Sequence, residues 1–211
     1  KARPLPPLAG RTTQAVPPWL GQPAIAQVFD EACAFLQRYL AEPQQIIETI
    51  ALWCLHAWCT RAGQGTFDVS PRLILNAIDP RADHARALRL ISWLTPAPLT
   101  ISRTIASHVL AAIEADKPTL LIDDVAGGTL YRRDMRTLIA AGAYRDGVFL
   151  TARNKRNETG RGQCFAPTAV ATATVLPEDV RLRSIVVPMA PPPMGDARAR
   201  LNQLDPPADA F

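Results

Sequence analysis

The chain has 211 residues, 48% of them hydrophobic and 20% charged, with a formal net charge of +4 and a pI near 9.1. That length holds one sizeable α/β core and a small helical addition, and the composition excludes a disordered or fibrous chain. The basic excess rests on 20 Arg against three Lys; it permits contact with nucleic acid without demanding it, and no apolar run approaches the ~18 residues of a membrane span.

Proline marks the borders, with 12 of the 20 prolines inside residues 1–23 and 188–211. Residues 1–24 read as an extended arm and residues 190–211 as a similar tail. Their composition favours a disordered linker over a strap that binds a neighbour. Between them, Ile25 to Leu40 has a helical stripe of Ala26, Phe29, Cys33, Leu36 and Leu40. Pro43 opens a second helix to about Thr60 that is apolar over most of its circumference, a pattern that predicts burial. Then strands and helices alternate: strand 72–75, helix 83–94, strand 99–101, helix 104–115, strand 119–122, helix 132–141 stopped by Gly142, and strands 148–150, 169–175 and 184–187. Such alternation predicts a parallel sheet covered on both faces. Four cysteines without C-x-x-C pairing suit a reducing cytoplasm.

Leu120-Leu121-Ile122-Asp123-Asp124 reads as a buried strand ending in two carboxylates, the form of a Walker B strand. There the first acid holds Mg²⁺, directly or through water, and the second polarises the attacking water. Such a strand should follow a G-x-x-x-x-G-K-[ST] loop, whose N–H groups and Lys cradle the phosphates. The chain has none. In its place stands Asn76-Ala77-Ile78-Asp79-Pro80-Arg81-Ala82-Asp83-His84-Ala85, without glycine and with two acids that would repel a triphosphate. Asp79, Asp83 and His84 could form a metal site, but acids at a helix start are expected first as caps. Cys54, His56 and Cys59 invite a zinc reading, yet residues 54 and 56 diverge by roughly 200° on a helix, so core packing is expected. No metal is expected. The segment 152–163 carries Arg153, Lys155, Arg156 and Arg161 with two glycines. It predicts an exposed loop or hairpin; solvation is its first expectation and phosphate-backbone contact its second. Arg132, Arg133 and Arg136 extend that patch if they share its side.

The pieces Phe35-Leu36 with Arg38-Tyr39, Ala51-Leu52-Trp53 with His56, Pro71-Arg72-Leu73, Pro118-Thr119-Leu120-Leu121-Ile122-Asp123, Gly142, and Leu176-Pro177 leading to Arg183-Ser184-Ile185-Val186 come in a suggestive order. Over residues 35–190 the chain resembles a P-loop ATPase domain of unknown function found in primase–helicase-like proteins of plasmids, phages and integrated elements. The resemblance implies an α/β, three-layer parallel sheet of the P-loop NTPase (AAA+-like) type over 25–189, with N-terminal helices at 25–62 and a core at 70–189. Family members carry a Gly-Cys-Gly-Lys-Thr-type loop where Arg81-Ala82-Asp83-His84 stands, and an Asp-Glu pair where this chain has Asp123-Asp124. Asp123 and Asp124 are therefore read as a vestigial Walker B pair. Arg183 is read as a vestigial sensor or arginine finger, kept for an ion pair with Asp123 or Asp124. The implied function is a catalytically inactive binding or assembly module in the DNA metabolism of a mobile element, with no cofactor. Its partners would be a protein or a second copy, and DNA or RNA through the Arg-rich loop, but no membrane. The alternative is an ATPase that uses ATP and Mg²⁺ through an atypical loop, or lends Asp124 and Arg183 in trans to a partner's site.

Overall fold

The computed structural model describes residues 24–62, 67–79, 81–102, 104–124, 127–151 and 160–196. Two helices, α1 (Ile25–Tyr39) and α2 (Gln44–Ala62), precede β1 (Arg72–Asn76), α3 (His84–Leu94), β2 (Pro98–Ile101), α4 (Ala106–Asp116) and β3 (Thr119–Asp123). Then follow α5 (Arg133–Ala141), β4 (Val148–Leu150), β5 (Arg161–Gln163), β6 (Thr168–Thr172), α6 (Glu178–Arg181) and β7 (Ser184–Pro188). Five strands form a parallel sheet in the order β2-β3-β6-β1-β7, while β4 and β5 make a separate antiparallel hairpin.

Strand side chains alternate between faces, and the sheet is buried on both, as parallel sheets are. Leu73, Leu75, Leu121, Ala169 and Ala171 meet Leu36, Ile47, Ile50, Trp53, Leu90 and Ile91 from the first three helices. Ile74, Leu120, Ile122 and Val170 point the other way, onto Val109, Leu110 and Ile113 of α4 and Met135, Leu138 and Ile139 of α5. The result is three layers, the arrangement the alternation predicted. Both edge strands carry a proline: Pro98 opens β2 and Pro188 closes β7. Each removes a donor that could recruit another strand.

Some elements differ from the sequence reading. The second helix is not buried all round: Leu52 and Trp58 are exposed, because only one side of it faces α1 and the sheet. Helix α4 starts at Ala106 rather than residue 104. Strand β6 ends at Thr172 rather than 175, because the Thr172 hydroxyl accepts the Thr174 N–H (3.2 Å) and turns the chain. Residues 161–163, inside the segment read as an exposed loop or hairpin, pair with β4 as the second arm of a hairpin. The arm expected over 1–24 lies outside the described residues except for Ala24. The tail expected from 190 is described to Asp196, and begins with the Ala190 N–H donating to Glu42 Oε1 (3.1 Å). Among the described residues no helix is long and apolar enough to cross a membrane.

Candidate functional site

In an open parallel sheet, ligands sit outside the carboxyl ends of the strands, where the strand order reverses. Here β1 lies between β6 and β7, and β6 alone separates it from β3. The turn after β1 and the acid tip of β3 thus share one edge, two strand spacings or about 10 Å apart. Asn76, Thr172 and Pro188 stand in register at that edge, as do Asp123 and Ala171.

The turn after β1 is closed on itself. Asp79 accepts the Arg81 backbone N–H (2.9 Å) and a two-pronged contact from its guanidinium, Nε to Oδ1 at 3.1 Å and Nη2 to Oδ2 at 2.8 Å. The hydrogen bond from Arg81 pulls the Asp79 carboxyl down to about 2. The Ala82 N–H goes to the Asp79 carbonyl and the His84 N–H to the Ala82 carbonyl. Asp83 caps α3 by accepting the Arg86 N–H (3.2 Å) and pairs with its guanidinium (2.8 Å). Capping is what the sequence favoured for it. The expectation of bare repulsion needs correcting, since both acids are neutralised by Arg81 and Arg86. At this turn the N–H groups of residues 81, 82 and 84 are already engaged within the protein.

The loop after β3 is closed in the same way. Asp124 is buried; its Oδ1 accepts the Thr129 N–H (2.7 Å) and its Oδ2 the Leu130 N–H (3.1 Å). Gly127 and Gly128 have φ of +71° and +130°, the left-handed region that lets the loop fold back over the carboxylate. The Thr129 hydroxyl reaches on to the Ser102 carbonyl after β2 (3.4 Å). Asp124 thereby anchors its loop and is buried from solvent. Asp123 is half-buried at the strand tip.

Arg183 corrects a sequence expectation. It precedes β7, so it lies at the amino edge of the sheet, a strand length or about 17 Å from the edge holding Asp123 and Asp124. Its Nη1 donates to the Asp179 carbonyl (2.6 Å) and its guanidinium lies over the Tyr144 ring, 5.7 Å from the centroid. It neither pairs with those acids nor reaches a γ-phosphate beside them.

That amino edge holds what the sequence did not disclose. Arg72 is fully buried at the start of β1. Its Nη1 donates to the Ala166 carbonyl and the Thr168 hydroxyl (2.8 Å for the latter), while among the described residues Nε and Nη2 have no partner. Burial lowers its pKa to about 9, which leaves it cationic at neutral pH. Burial, and then the Arg72 charge, hold the His56 imidazole below its ordinary range. The Cys164 thiol is pushed up by burial against the opposing pull of Arg72. An arginine placed ahead of three aliphatics in a buried strand was the available signal. Cys54 is buried, His56 half-buried and Cys59 exposed, so the three do not converge.

Among the described residues no group of three or more His, Cys, Asp or Glu could hold a metal. Of the proposed basic cluster, Arg153, Lys155 and Arg156 lie outside the described residues; Arg161 is exposed at the start of β5. Arg132 pairs with Asp134 (2.9 Å) and Arg136 with Asp179 (3.1 Å). Comparison with models of known protein families gave no match, and comparison with curated proteins found nothing similar.

Proposed function

We propose that this chain is a catalytically inactive ATPase-like module that binds or assembles other macromolecules in the DNA metabolism of a mobile element. The five-stranded parallel sheet, with the acid-tipped β3 one strand away from β1, supports a P-loop NTPase ancestry. With the hairpin set aside the order reads 2-3-4-1-5, which suits an AAA+-like sheet. The observation that carries the inactive reading is the engagement of the polar groups where a nucleotide would sit. Both Asp124 oxygens and the N–H groups of Arg81, Ala82 and His84 serve the protein itself. Binding a triphosphate there would break those bonds first. Lending Asp124 or Arg183 in trans is disfavoured for related reasons, since one is sealed and the other stands at the opposite edge.

The test is a thermal melt with ATP or ADP and Mg²⁺. A competent site at a hundredfold excess over Kd would add about 2.7 kcal/mol, and the expected result is no rise in Tm. A saturable rise would overturn the inactive reading. Nucleic-acid contact through the hairpin is tested separately. Changing Arg153, Lys155, Arg156 and Arg161 to Ala should weaken binding to double-stranded DNA and flatten its salt dependence. Unchanged affinity would remove that segment from the proposal.

A further inference from the structure

The amino edge gathers polar atoms that the protein leaves unanswered. Among the described residues, five buried side-chain atoms there have no hydrogen-bond partner: Arg72 Nε and Nη2, Arg145 Nη2, His56 Nε2 and Ser70 Oγ. Their residues are joined by a circuit of contacts. The His56 and Phe67 rings lie 4.8 Å apart, the Phe67 carbonyl accepts Arg145 Nε (2.9 Å), and the Arg145 guanidinium lies over the Phe165 ring at 4.7 Å. Phe165 stands between Cys164 and Ala166, the Ala166 carbonyl accepts Arg72 Nη1, and the Arg72 charge reaches back to His56. Ser70 joins the circuit two residues before Arg72, its N–H donating to the Ala143 carbonyl (2.8 Å) beside the bridge between Val69 and Tyr144.

The three guanidinium nitrogens can only donate, and the hydroxyl and imidazole that might have served them are themselves unpartnered. What the cluster lacks is an acceptor. It also lacks negative charge. Arg145 has Asp68 at 3.9 Å, whereas the fully buried Arg72 donates only to a carbonyl and a hydroxyl among the described residues. A buried cation without a counter-charge is costly, and orphaned buried polar groups commonly mark a bound water or ion.

We infer that this cluster holds one small monovalent anion of the halide class, with Arg72 Nε and Nη2 as its principal donors and Ser70 Oγ, His56 Nε2 and Arg145 Nη2 as the rest of its shell. The one uncompensated charge sets the valence. Burial of all five atoms sets the size: a phosphate ester has no way in, and a divalent ion costs more to dehydrate. Water would satisfy the donors but leave the Arg72 charge unopposed. The site lies at the end of the sheet opposite Asp123 and Asp124 and does not depend on the nucleotide reading.

The experiment is a thermal melt of the full chain in sodium gluconate, with chloride, bromide or sulfate substituted at constant ionic strength. Chloride and bromide should raise Tm saturably, by about 3–6 °C at a tenfold excess over Kd. Sulfate should give only the unsaturating rise of an excluded salt. Arg72→Met, which fills the same space, should abolish the halide response. Ser70→Ala, which keeps both guanidinium groups, should move its midpoint to several-fold higher halide and decides the matter if Arg72→Met does not fold. A crystal soaked in bromide should show an anomalous peak against Arg72 Nε and Nη2. The absence of a saturable halide response, as a water cluster would give, would overturn the inference. So would an unaltered response in Arg72→Met or Ser70→Ala, or bromide bound elsewhere as an adventitious ion only.

Discussion

The two ends of the sheet contrast in a way that neither motif reasoning nor composition anticipates. The carboxyl edge, where chemistry belongs in this architecture, has its acids engaged: Asp79 by Arg81, Asp83 by Arg86, and Asp124 by two backbone amides. The amino edge, where none is expected, keeps a buried cation with two nitrogens that meet no partner among the described residues, beside a histidine held below its ordinary range. Perturbed titration commonly marks a functional site, but here it follows burial at a strand start. Local satisfaction of polar groups says more about which end is chemically competent than residue type does.

The largest effect that would sharpen this contrast is expected at Arg72. Arg72→Ala removes a fully buried side chain and should cost about 2–5 kcal/mol in urea denaturation. Arg72→Met should recover most of that, since it fills the space and eliminates the two orphaned nitrogens. If Met were as damaging as Ala, the bonds to Ala166 and Thr168 would outweigh the unpaired charge, and the contrast between the ends would weaken.

Asp124 comes next. Asp124→Ala orphans the buried Thr129 and Leu130 N–H groups and should cost about 3 kcal/mol. Asp124→Asn should cost less, because its amide oxygen still accepts one of the two. A stability unchanged by Asp124→Ala would mean that the carboxylate is not the anchor of its loop, and would reopen a chemical role for it.

The smallest effect is the pH response of His56. Its folded value lies below the ordinary 6.5, so the unfolded chain binds a proton first as pH falls. Its contribution to stability should be complete above 6.5, diminish as pH drops from there toward the folded value, and level off below. The urea midpoint followed across that interval should fall in the wild type and fall less in His56→Gln. Equal slopes would show that other groups govern the acid response.

Much of the fold was legible because buried strands and amphipathic helices leave strong patterns. Leu73 to Leu75 and Leu120 to Ile122 are continuous aliphatic runs, and Asp83 is a helix-capping residue followed by a periodic stripe. The segment 152–163 was legible as a loop or hairpin but not as which of the two, since Arg-Gly-Gln at 161–163 carries no apolar alternation and takes its conformation from pairing with β4. The acid pair of β3 was legible as a motif but not as a geometry. The Gly127-Gly128 turn signal was there to read; the choice of Asp124 as its anchor depends on amides five and six residues further on. The exposure of Leu52 and Trp58 was hidden because composition does not say how much of a helix's circumference its neighbours cover.

The β4–β5 hairpin bears on how such a protein diversifies. A side chain at Gly162 would strike Glu114 and Leu110 of α4, so glycine lets that arm lie flat against the helix. The register from Val148–Gln163 to Leu150–Arg161, extended by the Thr151 N–H donating to the Gly160 carbonyl (2.9 Å), fixes both arms before the intervening residues begin. Lengthening that segment twofold would cost only about 0.6 kcal/mol in closure entropy. An insertion between Thr151 and Gly160 is therefore expected to leave the sheet and the packing on α4 unchanged.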